Sequence, residues 1–306
     1  MRQGLSKVVA WLAGVLAVVA IIAYFRPENF AQTIAAVGLQ GLAAWLALTL
    51  AARWLLVETT VMPLGVLGFA MKRADVFWVG WIRTLANFVL PMSGIAAYAR
   101  VVRDRAGISW SELAALAAPQ LVLALAALGV VGLGATACNA ETLQGSSILF
   151  GILYLAVLVL AVVIATGAPW FVGLLPGALA DRVARTTSAL RKLATHPNLV
   201  VQVIVLHTAA IVLRGGRIWV LFAAAGFALD WRELLLVIAI AESTMLVNAT
   251  PGGLGIREAL VLGGSALVGV PASVAASVAL VDRLFVIVTT ALLSAPAFAY
   301  LRRPRG

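Results

Sequence analysis

This chain is short of nearly everything that catalysis in water uses. It has one cysteine and two histidines in 306 residues. A lone Cys138 excludes an internal disulfide. His196 and His207 sit in no H-E-x-x-H or comparable ligand spacing, so no metal or other cofactor is expected. There is no G-x4-G-K-[ST] loop, which excludes ATP hydrolysis by that route. No serine or histidine stands in a nucleophile-elbow or triad context. Charge is scarce as well. Charged residues make up 11% and hydrophobic ones 63%, against about 25% and 45–50% in soluble domains. Apolar windows of about 18 residues or more, each enough to cross a bilayer, recur along the whole length. The class is an all-α polytopic membrane protein with one transmembrane domain over residues 1–306. The formal net charge of +10 then reports orientation, and no nucleic-acid partner is expected.

Basic residues cluster at Arg2/Lys7, Lys72/Arg73, Arg100/Arg103/Arg105, Arg182/Arg185/Arg191/Lys192 and Arg302/Arg303/Arg305. The 137–147 loop has none. The positive-inside rule places both termini and the loops near 72, 103 and 187 in the cytoplasm. Six spans follow by length, over about 8–25, 33–57, 111–136, 148–168, 199–227 and 272–300. The first resembles a signal peptide but lacks a small-x-small cleavage site ahead of a soluble body, so it reads as a span. Two apolar segments are left over. One must enter and leave from the cytoplasmic side, the other, over 231–270, from the outside. The latter is either re-entrant or spans twice.

Both leftover segments are broken in the same way. The first runs from Trp81 through Arg83, Asn87 and Pro91 to Gly94. The second runs from Glu242 through Asn248 to Pro251-Gly252-Gly253-Leu254-Gly255. Broken backbone at membrane depth is tolerated only inside protein or along a cavity. A matched pair of such breaks in the two halves of a chain points to a transporter binding site. The expected architecture is six spans plus two re-entrant helices in inverted repeats, over about 33–136 and 199–300.

Nine charges lie in or beside the apolar segments: Arg53, Arg83, Arg214, Arg217, Glu242, Arg257, Glu258, Asp282 and Arg283. Each costs at least about 2.5–3.5 kcal/mol near the bilayer centre unless it is paired or wet. Arg214 and Arg217 share a helical face with His207. The adjacent Asp282 and Arg283 must point apart, which makes Arg283 a partner for Glu258 or Glu242. Six arginines against three carboxylates leave arginine over. The planar guanidinium fork suits a phosphate, so an anionic ligand is one reading and structural ion pairing is the other. The glycines at 252, 253 and 255 would let backbone N–H groups approach that anion at a helix N-terminus, with Arg257 beside them. The candidate binding set is Arg83, Asn87, Arg214, Arg217, Gly252, Gly253, Gly255, Arg257 and Arg283. Glu242, Glu258 and Asp282 are the candidates for pairing or coupling.

The run Pro251-Gly-Gly-Leu-Gly-Ile-Arg-Glu258, with Asn87-x3-Pro91-x2-Gly94, Arg100, Gly107-Ile-Ser109, Gly269-Val270 and Asp282-Arg283, resembles the lysylphosphatidylglycerol synthase transmembrane region, or flippase-like domain family. The resemblance covers about 39–300. It implies movement of a lipid across the bilayer, and, without an aminoacyl-transferase domain in these residues, movement without synthesis. It departs from the family pattern at Ile95, where a Glu is usual, and at Pro119-Gln120, where a Glu-Arg pair is usual. Its implied partners are an anionic phospholipid or polyprenyl-linked glycolipid, the bilayer, and a lipid or glycosyl transferase; a homo-oligomer is compatible. The expected location is a bacterial inner membrane. A membrane-embedded lipid-modifying enzyme, or an accessory subunit of one, is the alternative.

Overall fold

A computed structural model describes residues 30–90, 93–108, 110–166, 192–247 and 250–303, with isolated positions 16, 19 and 23. The rest of the expected span at 8–25, most of the basic loop around 187, and Pro91, Ser109 and Asn248 lie outside the described residues. Helices make up the structure: α1 (Phe30–Val66), α2 (Arg73–Val89), α3 (Ser93–Ala106), α4 (Trp110–Cys138), the single turn α5 (Ala140–Leu143), α6 (Ser146–Thr166), α7 (Pro197–Ala224), α8 (Trp231–Glu242), α9 (Ile256–Leu267) and α10 (Ala272–Leu301). Short 3-10 turns at Ser243–Leu246 and Pro251–Gly253 join α8 to α9. No strand occurs among the described residues. Five helices are long and apolar enough to cross a membrane: α1, α4, α6, α7 and α10. The outward face of α6, with Ile148, Leu149, Ile152 and Leu153 exposed, is what a lipid-facing helix presents.

Besides the single turn α5, the other four helices are shorter than a typical span and are not among the candidate spans. At 1.5 Å per residue, α2 and α3 reach about 26 and 21 Å, and α8 and α9 about 18 Å each, short of the roughly 30 Å hydrocarbon core. Each pair packs on itself as a hairpin, so 231–270 is re-entrant. The entry faces follow from contacts. Arg105 at the end of α3 donates to the carbonyls of Leu301 and Arg303 and lies 3.6 Å from Asp75 at the start of α2. The open end of the first hairpin therefore shares a face with the C-terminus. Asn139, after α4, donates to the Arg232 carbonyl at 2.9 Å, so the second hairpin opens on the face of the 137–147 loop. The two hairpins enter from opposite sides.

The inverted repeat is visible in packing and in sequence. Span, hairpin, span reads α1, α2–α3, α4 in one half and α7, α8–α9, α10 in the other. The first spans, α1 and α7, pack along each other; the first hairpin leans on α10 and the second on α4. Both first spans end alike, in Gly68-Phe69-Ala70-Met71 and Gly226-Phe227-Ala228-Leu229. Gly68 (φ 92°) and Gly226 (φ 77°) take the left-handed conformation. The next N–H folds back to the helix, Phe69 to Leu64 and Phe227 to Phe222, both at 2.9 Å. That Schellman closure needs glycine and turns the chain into each hairpin.

The second span differs from the sequence reading in its end and in its interior. The second span runs to Val66, past the expected stop at 57, because Glu58 does not end the helix. Arg73 folds back on Glu58, with Nε 2.6 Å from Oε1. Within the same helix, Gly38 interrupts the backbone at φ 56°, ψ −174°.

Orientation has a direct check. Cys138 is exposed and free. With the basic face inside, a membrane-impermeant maleimide is expected to label Cys138 in intact cells. It is expected to label Lys72→Cys in a Cys138→Ser background only after the membrane is opened. The reverse pattern would invert the assignment.

Candidate functional site

The two hairpin tips meet inside the helix bundle. Phe88 of α2 sits where any side chain at Gly252 would have to go, and Gly252 (φ 59°) also holds a left-handed backbone. Between the tips and the spans α1, α4, α7 and α10 lies a cavity of about 910 Å³. All nine intramembrane charges singled out in the sequence line it. Each is a charge that membrane depth drives against water or a partner, and the cavity supplies both.

Seven of the nine are ion-paired, five in one network joined by Arg257 between Glu242 and Asp282 and two as a separate pair, Glu258 with Arg283. Arg217 meets Asp282 edge on, with Nη2 donating to Oδ2 at 2.9 Å and Nε 2.8 Å from Oδ1. Trp45 Nε1 donates to the same carboxylate at 3.0 Å, which ties α1, α7 and α10 together. Glu242 takes Arg214 at 2.7 Å and Arg257 at 3.0 Å. Glu258, 1% exposed, pairs with Arg283 through Oε1 and accepts the Gly255 N–H through Oε2 at 2.7 Å. Arg283 also donates to the Gly252 carbonyl at 3.0 Å. Glu258 and Arg283 thus clamp the second hairpin tip to α10. Asp282 and Arg283 do point apart, as adjacency on a helix requires.

The glycine run differs from its expected form. Gly253 N–H goes to Thr250, Leu254 N–H to Pro251 and Gly255 N–H to Glu258. The protein's own carboxylate caps the α9 N-terminus, so these groups do not form a free anion nest. Gly252 and Gly253 line the cavity; Gly255 is not among its lining residues. Asn87 lines it too, while its Oδ1 accepts the Gly94 N–H at 2.8 Å and braces the first hairpin turn.

Arg53 and Arg83 complete the nine and stand outside the network. Arg53 donates to the Gly80 carbonyl at 3.3 Å and to Thr84 Oγ1 at 2.9 Å, with its guanidinium 4.6 Å from the Trp81 ring centre. Arg83 is exposed and lies 5.4 Å from the Tyr98 ring. Neither has a carboxylate partner among the described residues. Beside them the wall is neutral and polar, made by Thr59, Thr60, Tyr98 and Gln120. Sequence reasoning did not select these four. Uncharged polar residues are common in membrane helices, where hydroxyls bond back to their own backbone, as Thr60 does to Leu56. Ile95 and Gln120, the departures from the family pattern, both face the cavity.

The fold and site define a multi-pass, all-helical membrane protein with a charged cavity between two oppositely inserted hairpins. The family model of the lysylphosphatidylglycerol synthase TM region matches residues 8–294. The chain belongs to that family. No curated protein and no solved structure matches it.

Proposed function

We propose that this chain is a flippase-like transporter. It carries the head group of an anionic lipid, a phospholipid or a polyprenyl-linked glycolipid, between leaflets of a bacterial inner membrane while the tails stay in the bilayer. One observation supports this most: six guanidinium groups face three carboxylates around a single cavity at the meeting point of two inverted hairpins. A formal excess of three positive charges at membrane depth calls for an anion. The cavity volume lies in the range of small-molecule sites, about 300–1,000 Å³. Each carboxylate lining it is held by arginine, so none is placed to serve as a base. That weighs for movement over modification. A lipid or glycosyl transferase acting on the same lipid is the natural partner.

Reconstitution tests the reading. Purified protein in vesicles with fluorescent phosphatidylglycerol, phosphatidic acid, polyprenyl phosphate sugars and phosphatidylcholine is probed with an impermeant quencher. Protein-dependent exposure of an anionic lipid, faster than that of phosphatidylcholine, is expected. Exchange no faster than in protein-free vesicles for every lipid, with and without an ion gradient, would overturn it.

A further inference from the structure

The seven paired charges, four arginines and three carboxylates, leave one positive charge over, and all four arginines are engaged. The charge excess therefore concentrates on Arg53 and Arg83. Arg53 is close enough to Arg83, Arg214 and Arg217 for like charges to repel, so this corner holds positive charge that no carboxylate among the described residues pairs with. Each guanidinium carries five donors. Arg53 spends one on Gly80 and one on Thr84; Arg83 has no hydrogen bond among the described residues. Tyr98 and Gln120 beside them add neutral donors.

Resting on the transport reading, we propose that Arg53 and Arg83 are the anion-gripping pair, and that they select a lipid phosphate with two negative charges. A phosphomonoester or a diphosphate qualifies; a phosphodiester does not. Two planar forks can engage the three terminal oxygens of a monoester together, whereas a diester offers only two unbridged oxygens and one charge. A dianion would leave the cavity with one excess charge, a diester with two. Arg83, exposed and without a hydrogen bond or ion pair among the described residues, makes the first contact. Arg53, fixed by α2 on the Trp81 face, holds the far side.

Equilibrium binding of short-chain lipids to the purified full chain in detergent tests this without any need for transport. The probes are dioctanoyl phosphatidic acid, a monoester, and dioctanoyl phosphatidylglycerol, a diester with the same tails. At about pH 8 the wild type is expected to prefer the monoester by about tenfold or more, the scale of one charge-assisted contact. Near pH 5, below the second phosphate ionisation at about pH 6, the preference is expected to vanish. Arg53→Gln and Arg83→Gln are each expected to weaken monoester binding by about tenfold with little change for the diester. Arg73→Gln, at the membrane edge against Glu58, is expected to change neither. Equal affinity for the two lipids in the wild type at pH 8 would overturn the proposal whatever the variants do. Glycerol 3-phosphate binding as tightly as the lipid would reassign the pair to a soluble phosphate and overturn the lipid assignment. Monoester preference without leaflet exchange would sink the transport reading and leave this one standing; exchange without preference would do the opposite.

Discussion

Glu258→Gln is expected to cost about 3–5 kcal/mol of stability, the usual loss when one partner of a buried ion pair is removed. The reason is local and specific. Glu258 is 1% exposed and Arg283 is 8% exposed, so removing the carboxylate charge leaves a guanidinium uncompensated at membrane depth. The same carboxylate caps α9 through Gly255, and Arg283 in turn holds the Gly252 carbonyl. One substitution thus loosens both the second hairpin tip and its tie to α10. Thermal unfolding in detergent reads the effect. The double change Glu258→Gln with Arg283→Met is expected to recover part of the loss, because it removes the stranded charge as well. A Glu258→Gln protein that melts with the wild type would show that the clamp does not hold the tip.

Arg83→Glu is expected to have the opposite signature. It removes no ion pair and no hydrogen bond among the described residues, so the melting temperature is expected to stay close to wild type. Transport of an anionic lipid is expected to fall by about 100-fold or more. Loss of charge-assisted contacts worth about 1.5–3 kcal/mol each accounts for that scale, and the reversed charge repels the head group besides. Leaflet exchange in vesicles, set against melting of the same preparation, separates the two effects. A variant that transports normally would place Arg83 outside the path. A variant that fails both tests would return it to a structural role.

Much of this architecture was legible in the residues, for a definite physical reason. A charge, a proline or a glycine run inside an apolar segment is costly in lipid, so each stands out and each marks protein-lined space. All nine intramembrane charges could be picked out that way, and they surround one cavity. The partition of those charges was not legible. Arg214 and Arg217 read as the leading ligand groups, yet Glu242 and Asp282 engage them. Arg217 and Asp282 lie 65 residues apart in sequence, and only the register of packed helices brings them together. Arg53, without a carboxylate partner among the described residues, reads in the sequence only as a membrane charge and not as a member of the binding set. The Gly-Phe-Ala closures at 68 and 226 were readable, but three matching residues carry little weight until both are seen to end a span and open a hairpin. Thr59, Thr60 and Tyr98 gave no signal, because uncharged polar side chains are tolerated in membrane helices; Gln120 stood out only as a departure from the family pattern.

The central claim is that an anionic head group crosses through the arginine cavity. Its most direct test is leaflet exchange of fluorescent phosphatidic acid and phosphatidylcholine in one vesicle preparation, with wild type and Arg53→Gln/Arg83→Gln side by side. The wild type is expected to move phosphatidic acid well ahead of phosphatidylcholine, and the folded double variant to lose that lead. Wild-type exchange of phosphatidic acid by the double variant would contradict the claim.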